Sequence, residues 1–147
     1  MNRSVLLVVA LMIAASTTCA ALAGSGKSSH GSKPAAQKKQ DGPLAGSQLE
    51  KCLKSRKPTM ADFGRGWCKP CKMMVPVLEQ AVREYRGKAN IVFVELGEYG
   101  SLGHQHRIIA MPTQIFFDAK GKEVARHIGY LDNKGIDEKF AQMRVRK

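Results

Sequence analysis

The chain predicts an α/β fold, with a central mixed four-stranded sheet and helices on both faces. Two observations carry this. Short apolar runs rich in β-branched and aromatic residues alternate with longer stretches of helical periodicity, the pattern of strand–helix–strand units with parallel strands. The last two runs, Thr113 to Phe117 and Glu123 to Ile128, are instead joined by Asp118-Ala119-Lys120-Gly121, a turn that makes an antiparallel hairpin. The order α-β-α-β-α-β-β-α then divides into a β-α-β half and a β-β-α half that share one sheet.

The first residues do not belong to that pattern. Met1-Asn2-Arg3 is a short positive start, Val5 to Ala15 is mostly aliphatic, and small residues follow to Ala21-Leu22-Ala23. This reads as a secretory signal peptide over residues 1–23, cleaved near Ala23. The apolar run is too short for a membrane span. Cys19 raises the alternative of a lipid anchor, but Ser16-Thr17-Thr18 lack the aliphatic residue expected upstream of a lipidated cysteine. Residues 24–43 are rich in Gly, Ser, Lys, Ala and Gln and cannot bury enough surface to fold, so they read as a flexible linker. A periplasmic or secreted location follows from the signal peptide.

The domain is expected over residues 44–147. The chain has 147 residues, 44% of them hydrophobic, enough for one ordinary core. Ser47 suits a helix N-cap with Glu50 as its capping-box partner, and Leu49, Cys52 and Leu53 share a face, which makes Cys52 a packed thiol. Thr59 to Phe63 is a short central strand. A helix runs from about Lys69 to Arg86, with Met73, Met74, Val77, Leu78, Ala81 and Val82 on one side; Pro76 interrupts it and Gly87 ends it. Ile91 to Val94 is a buried parallel strand. Gly97 to Arg107 forms a loop and short helix. After the hairpin, Asp132 or Asn133 starts the last helix, which turns Ile136, Phe140 and Met143 inward.

The net charge of +12 favours acidic partners or anionic surfaces. No basic–aromatic interleaving accompanies it, so nucleic acid is not expected as a partner.

The chemistry concentrates in Asp62-Phe63-Gly64-Arg65-Gly66-Trp67-Cys68-Lys69-Pro70-Cys71-Lys72. Cys68 stands at a strand-to-helix junction, where unpaired N–H groups and the helix dipole favour a thiolate. Lys69 adds a neighbouring positive charge, and Pro70 suits the first helical turn. Cys71 lies one turn on, close enough to attack a mixed disulfide at Cys68, so the spacing suits dithiol–disulfide exchange. A zinc site would need a second ligand pair, and none has suitable spacing. His104 and His106 form His-x-His without a third ligand nearby and read as surface residues. No metal and no cofactor is expected.

The Trp-Cys-x-x-Cys stretch resembles the active-site segment of the thioredoxin superfamily. The resemblance extends to Asp62, six residues before Cys68, to Met111-Pro112-Thr113, similar to the family's cis-proline loop, and to the element order. It implies a thioredoxin fold and a thiol–disulfide oxidoreductase, with Cys68 as nucleophile, Cys71 as resolving thiol, and a Cys68–Cys71 disulfide in the oxidised form. Asp62, buried beneath the pair, would take the proton from Cys71. Trp67 and the Met111–Pro112 edge would bind substrate, with Pro112 in the cis form, and Lys69 and Pro70 would tune the potential. Two departures stand out. Phe93 occupies the place where thioredoxins often carry a lysine near the acid. Gly64 replaces an aromatic, which predicts a more open surround.

Direction is read as reductive. Oxidising relatives usually carry a helical insertion after the active-site helix, and Arg86 to Ile91 leaves no room for one. The expected partners are protein disulfides and a membrane-bound thiol electron donor, with the chain acting as a monomer. A disulfide oxidant or isomerase is the alternative enzyme, and a module holding copper(I) on Cys68 and Cys71 is the alternative of another class.

Overall fold

The computed structural model describes residues 42–147. The expected signal peptide, and all of the expected linker but its last two residues, lie outside them.

The sheet has five strands rather than four. β1 (Leu44–Ala45) is a two-residue edge that sequence periodicity is too short to reveal; β2 is Thr59–Gly64, β3 Asn90–Glu95, β4 Thr113–Phe117 and β5 Glu123–Ile128. Their order across the sheet is β1-β3-β2-β4-β5. β1, β3 and β2 run parallel, and β4 and β5 run antiparallel to their neighbours. β2 is therefore central, and every residue in it is buried. β5 is the far edge and is largely exposed or half-buried.

Side chains alternate across a strand, so β2 sends Met60, Asp62 and Gly64 to one face and Ala61 and Phe63 to the other. The first face is covered by α2 (Lys69–Glu84) and α4 (Asn133–Gln142). Met60, Ile91 and Phe116 pack there with Met74, Val77, Leu78, Ile136 and Phe140. Phe140 holds the layer together, its ring 4.3 Å from Tyr85 and 5.5 Å from Phe116 between centroids. The second face is covered by α1 (Leu49–Leu53) and α3 (Gly100–Gln105). Ala61, Phe63, Val92, Val94, Ile115 and Phe117 pack there with Leu49 and Cys52.

Several local expectations are altered by neighbours. Ser47 falls inside a 3-10 turn, Gly46–Gln48, and Gln48 rather than Ser47 stands at the start of α1, with no side-chain cap. Met73 is exposed, because Cys71, Met74 and Leu78 take the inward positions of α2. α2 runs through Pro76 and ends at Glu84, two residues earlier than read. His106 is half-buried rather than a free surface residue: its ring lies 5.4 Å from that of Phe63 and 5.6 Å from that of Phe117. Burial lowers its pKa. Helical and strand periodicity say nothing about a residue one past a short helix, which is where His106 sits.

The hairpin turn is built as its composition suggests. Asp118 Oδ1 accepts from the amides of Lys120 at 2.8 Å and Lys122 at 2.9 Å. Gly121 has φ +77°, and a β-carbon there would stand 2.8 Å from the Leu53 carbonyl oxygen, so backbone conformation and space both require glycine. Asp132 caps α4, its Oδ1 accepting from Gly135 N at 2.8 Å.

Candidate active site

β2 ends at Gly64, and a tight turn carries the chain to α2. Cys68 N donates to the Arg65 carbonyl at 3.0 Å, and Gly66 N donates to Glu95 Oε2 at 2.8 Å. Glu95 Oε1 also accepts from Gly97 N at 3.1 Å, so one carboxylate from β3 ties down the backbone on both sides. Cys68 then stands at the N-cap with extended φ and ψ, and its carbonyl accepts the first helical bond from Lys72 N at 3.0 Å. The sulfur is thereby placed at the end of a 16-residue helix, where the dipole is positive. Pro70 falls in the first turn, where its missing N–H costs no bond.

Cys68 and Cys71 are joined as a disulfide, with their Cα atoms 5.2 Å apart. Both are buried, Cys68 at 8% exposure and Cys71 at 3%. Trp67 stands beside the pair with 71% of its surface exposed, and the Arg65 guanidinium carbon lies 5.9 Å from its ring centre. Lys69 and Lys72 are exposed on the same turn.

On the sheet face that α2 covers lies a row of three side chains. Asp62 is the register partner of Phe93 on β3 and of Gln114 on β4. Asp62 and Gln114 are fully buried, and Gln114 Nε2 donates to Asp62 Oδ1 at 2.7 Å. Burial pushes the Asp62 pKa up to about 7, against a smaller lowering by the Gln114 hydrogen bond. Asp62 is therefore a buried carboxyl and not a solvated one at a strand end. Phe93 confirms the register read from the sequence, with an apolar ring where a lysine was the family expectation.

Gly64 corrects an expectation. It predicted an open surround, yet the position is enclosed. A β-carbon on Gly64 would stand 3.1 Å from Cys71 Cβ, 3.2 Å from Cys71 Sγ and 3.3 Å from the Phe93 ring. The aromatic bulk missing from β2 is supplied by the neighbouring strand.

The Met111–Pro112 peptide bond is cis. Thr113 pairs with Phe63, so Met111 and Pro112 come to the end of the sheet from which Gly64 leads to Cys68. Pro112 is buried and its carbonyl accepts from Gly129 N at 2.8 Å, which anchors this loop to the end of β5. Ile109, on the approach to it, is 85% exposed.

Other candidates are not gathered here. Cys52 is a free, buried thiol on the opposite face of the sheet, its pKa raised by desolvation. His104 is exposed on α3, and His127 Nε2 lies 3.1 Å from the Tyr130 carbonyl. Among the described residues, no cluster of His, Cys, Asp or Glu could hold a metal ion. Sequence reasoning missed Gln114 and Glu95. A signal for Gln114 was present: a single amide between Thr113 and the apolar Ile115-Phe116-Phe117 in an otherwise buried strand needs a polar partner.

The comparisons agree with this geometry. The thioredoxin family model matches residues 43–142. The chain is 29% identical over 100 residues to thioredoxin from Alicyclobacillus acidocaldarius, covering 68% of this chain and 94% of the relative. It is 34% identical over 79 residues to thioredoxin from Staphylococcus aureus, covering 54% and 75%. Among solved structures, a mutant thioredoxin from Halobacterium salinarum superposes with a TM-score of 0.63 at 24% identity, over 70% of this chain and 91% of the other. With a family model matched over residues 43–142 and a cysteine pair bonded at a helix N-terminus, the chain belongs to the thioredoxin family and is a thiol–disulfide oxidoreductase.

Proposed function

We propose that this protein reduces protein disulfides outside the cytoplasm. The observation that carries the chemistry is the asymmetry of the pair. Cys68 lies at the positive end of α2 and is the more exposed of the two, whereas Cys71 is packed against Gly64, on the strand that carries Asp62. The Cys68 thiolate attacks one sulfur of the substrate disulfide, and the other substrate sulfur leaves as a thiolate. Asp62 then takes the proton of the Cys71 thiol. The Cys71 thiolate attacks Cys68 Sγ, releases the second substrate thiolate, and closes the Cys68–Cys71 bond. Asp62 is suited to this because a base works best with a pKa near the working pH, and its pKa is about 7. Trp67 and the Met111–Pro112 edge give the substrate chain an apolar lip and a backbone to lie against. Lys69 and Pro70 tune the potential.

The reductive direction is supported by the short link between α2, ending at Glu84, and β3, starting at Asn90, which holds no inserted helix. Export rests on the signal-like composition of residues 1–23. Electrons would come from a membrane-bound thiol carrier, and the linker would give the domain reach towards it; the protein would act as a monomer. Equilibration of the Cys68–Cys71 pair with glutathione tests the direction. A potential near about −270 mV with turnover of insulin disulfides supports the reductase, and one near about −120 mV makes the protein an oxidant instead. Cell fractionation with N-terminal sequencing tests export, the expected product starting near Gly24.

A further inference from the structure

Asp62 and Gln114 are opposed forks. One arm of each is used, by the 2.7 Å bond from Gln114 Nε2 to Asp62 Oδ1. The other arms, Asp62 Oδ2 and Gln114 Oε1, are both buried and both without a hydrogen-bond partner. A carboxamide oxygen only accepts, and so does an ionised carboxylate. With Asp62 ionised, the two oxygens are therefore both acceptors without a donor, each a buried group left unsatisfied. Protonation supplies one donor, and one is what the two oxygens lack.

We propose that Gln114 is a positioning residue that stores the catalytic proton on Asp62 Oδ2, through an acid–amide pair in which Oδ2–H donates to Gln114 Oε1 while Nε2–H donates to Oδ1. The donor on Oδ1 disfavours protonation there, so the proton is confined to one oxygen. Nothing else among the described residues takes over this role. β3 presents Phe93 to Asp62, and the next residue on that face, Glu95, turns its carboxylate to the amides of Gly66 and Gly97. α2 presents Cys71, which does not titrate while it is in the disulfide. The raised pKa of Asp62 agrees with a proton held in the oxidised protein.

The proposal rests on Asp62 serving Cys71. When a dithiol donor reduces the protein, its thiolate attacks Cys68 Sγ and Cys71 leaves as a thiolate. Asp62 Oδ2–H gives its proton to Cys71 Sγ. The second donor thiol then closes the donor's own disulfide and frees Cys68. Asp62 is left ionised, keeping its bond to Gln114 Nε2 and losing the other.

The test is a carbon-13 and nitrogen-15 NMR titration of the oxidised native protein, following Asp62 Cγ, Gln114 Cδ and Gln114 Nε2. A shared midpoint near neutral pH is expected. An Asp62 midpoint near the ordinary carboxylate value of about 4, or Gln114 signals that stay flat through the Asp62 transition, would overturn the pair. Gln114→Met, close in volume but without hydrogen bonds, should raise the carbonyl stretching frequency of protonated Asp62. It should also slow reduction by dithiothreitol about tenfold, a part of the roughly 10²–10⁴ that a positioned acid supplies. In an Asp62→Asn background the same substitution should change the rate by less than about twofold. A shared midpoint combined with an Asp62→Asn protein of native rate at every pH would leave the pair standing and overturn its use in catalysis, and with it the role of Asp62 proposed above.

Discussion

Gly64 and Cys71 touch across the junction of β2 and α2, so closely that a β-carbon on Gly64 would stand 3.1 Å from Cys71 Cβ. The contact couples the strand that carries Asp62 to the helix that carries the thiols. It leaves the added carbon no simple escape, because Cys71 is held by the disulfide and the Phe93 ring closes the remaining side at 3.3 Å. Gly64→Ala is expected to cost about 1–3 kcal/mol, the range for overpacking a filled core. Denaturant unfolding of the oxidised protein measures it. A variant as stable as the native protein would show that the helix start yields freely.

Asp62 makes stability depend on pH in an unusual direction for a carboxylate. Its pKa rises from 3.8 to about 7 on folding. Between those values the unfolded chain has lost a proton that the folded chain keeps, so stability falls as pH rises from about 4 through about 7 and is level above. The full loss is about 4 kcal/mol at 1.36 kcal/mol per pKa unit. Asp62→Asn removes this slope, and its amide can donate to Gln114 Oε1. It should be more stable than the native protein at pH 8 and nearly matched at pH 4. Unfolding curves across pH settle it, and parallel slopes in the two proteins would count against the buried acid.

Cys52 should be silent in the redox chemistry. It belongs to α1 and is buried against the other face of the sheet, and desolvation keeps its thiol protonated. Cys52→Ala is expected to lower stability by about 1 kcal/mol, a typical core truncation, and to leave the Cys68–Cys71 potential unchanged. In the native oxidised protein the thiol should react with a disulfide reagent only on unfolding. Rapid labelling under native conditions would restore the idea of a third reactive cysteine.

Trp67 is exposed over most of its surface, so it contributes little to folding and is available to a substrate. Trp67→Ala should change stability by less than about 0.5 kcal/mol. It should raise KM for a protein disulfide about fivefold, equivalent to about 1 kcal/mol of binding, while reduction of the protein by dithiothreitol stays unchanged. Steady-state kinetics with insulin, set beside reduction by the small dithiol, separate the two effects.

Local pattern in the chain was enough for the strands and helices that have strong periodicity or clear punctuation. β4 and β5 were legible to the residue, since Asp118 to Gly121 could only be a turn. Cys68 and Cys71 were legible because their spacing is local, within one helical turn. The remaining features depend on strands that come together from far apart in the chain. Asp62 meets Gln114 across 52 residues, a meeting that no local spacing reveals, whereas its neighbour Phe93 was legible only through the family resemblance. The enclosure of Gly64 and the burial of His106 between Phe63 and Phe117 arise in the same way. β1 is too short to carry a pattern at all, and it exists only because β3 offers it a free edge. Periodicity reports which side of an element is apolar; the partner on that side is fixed only when the sheet closes and its vacant volume is filled.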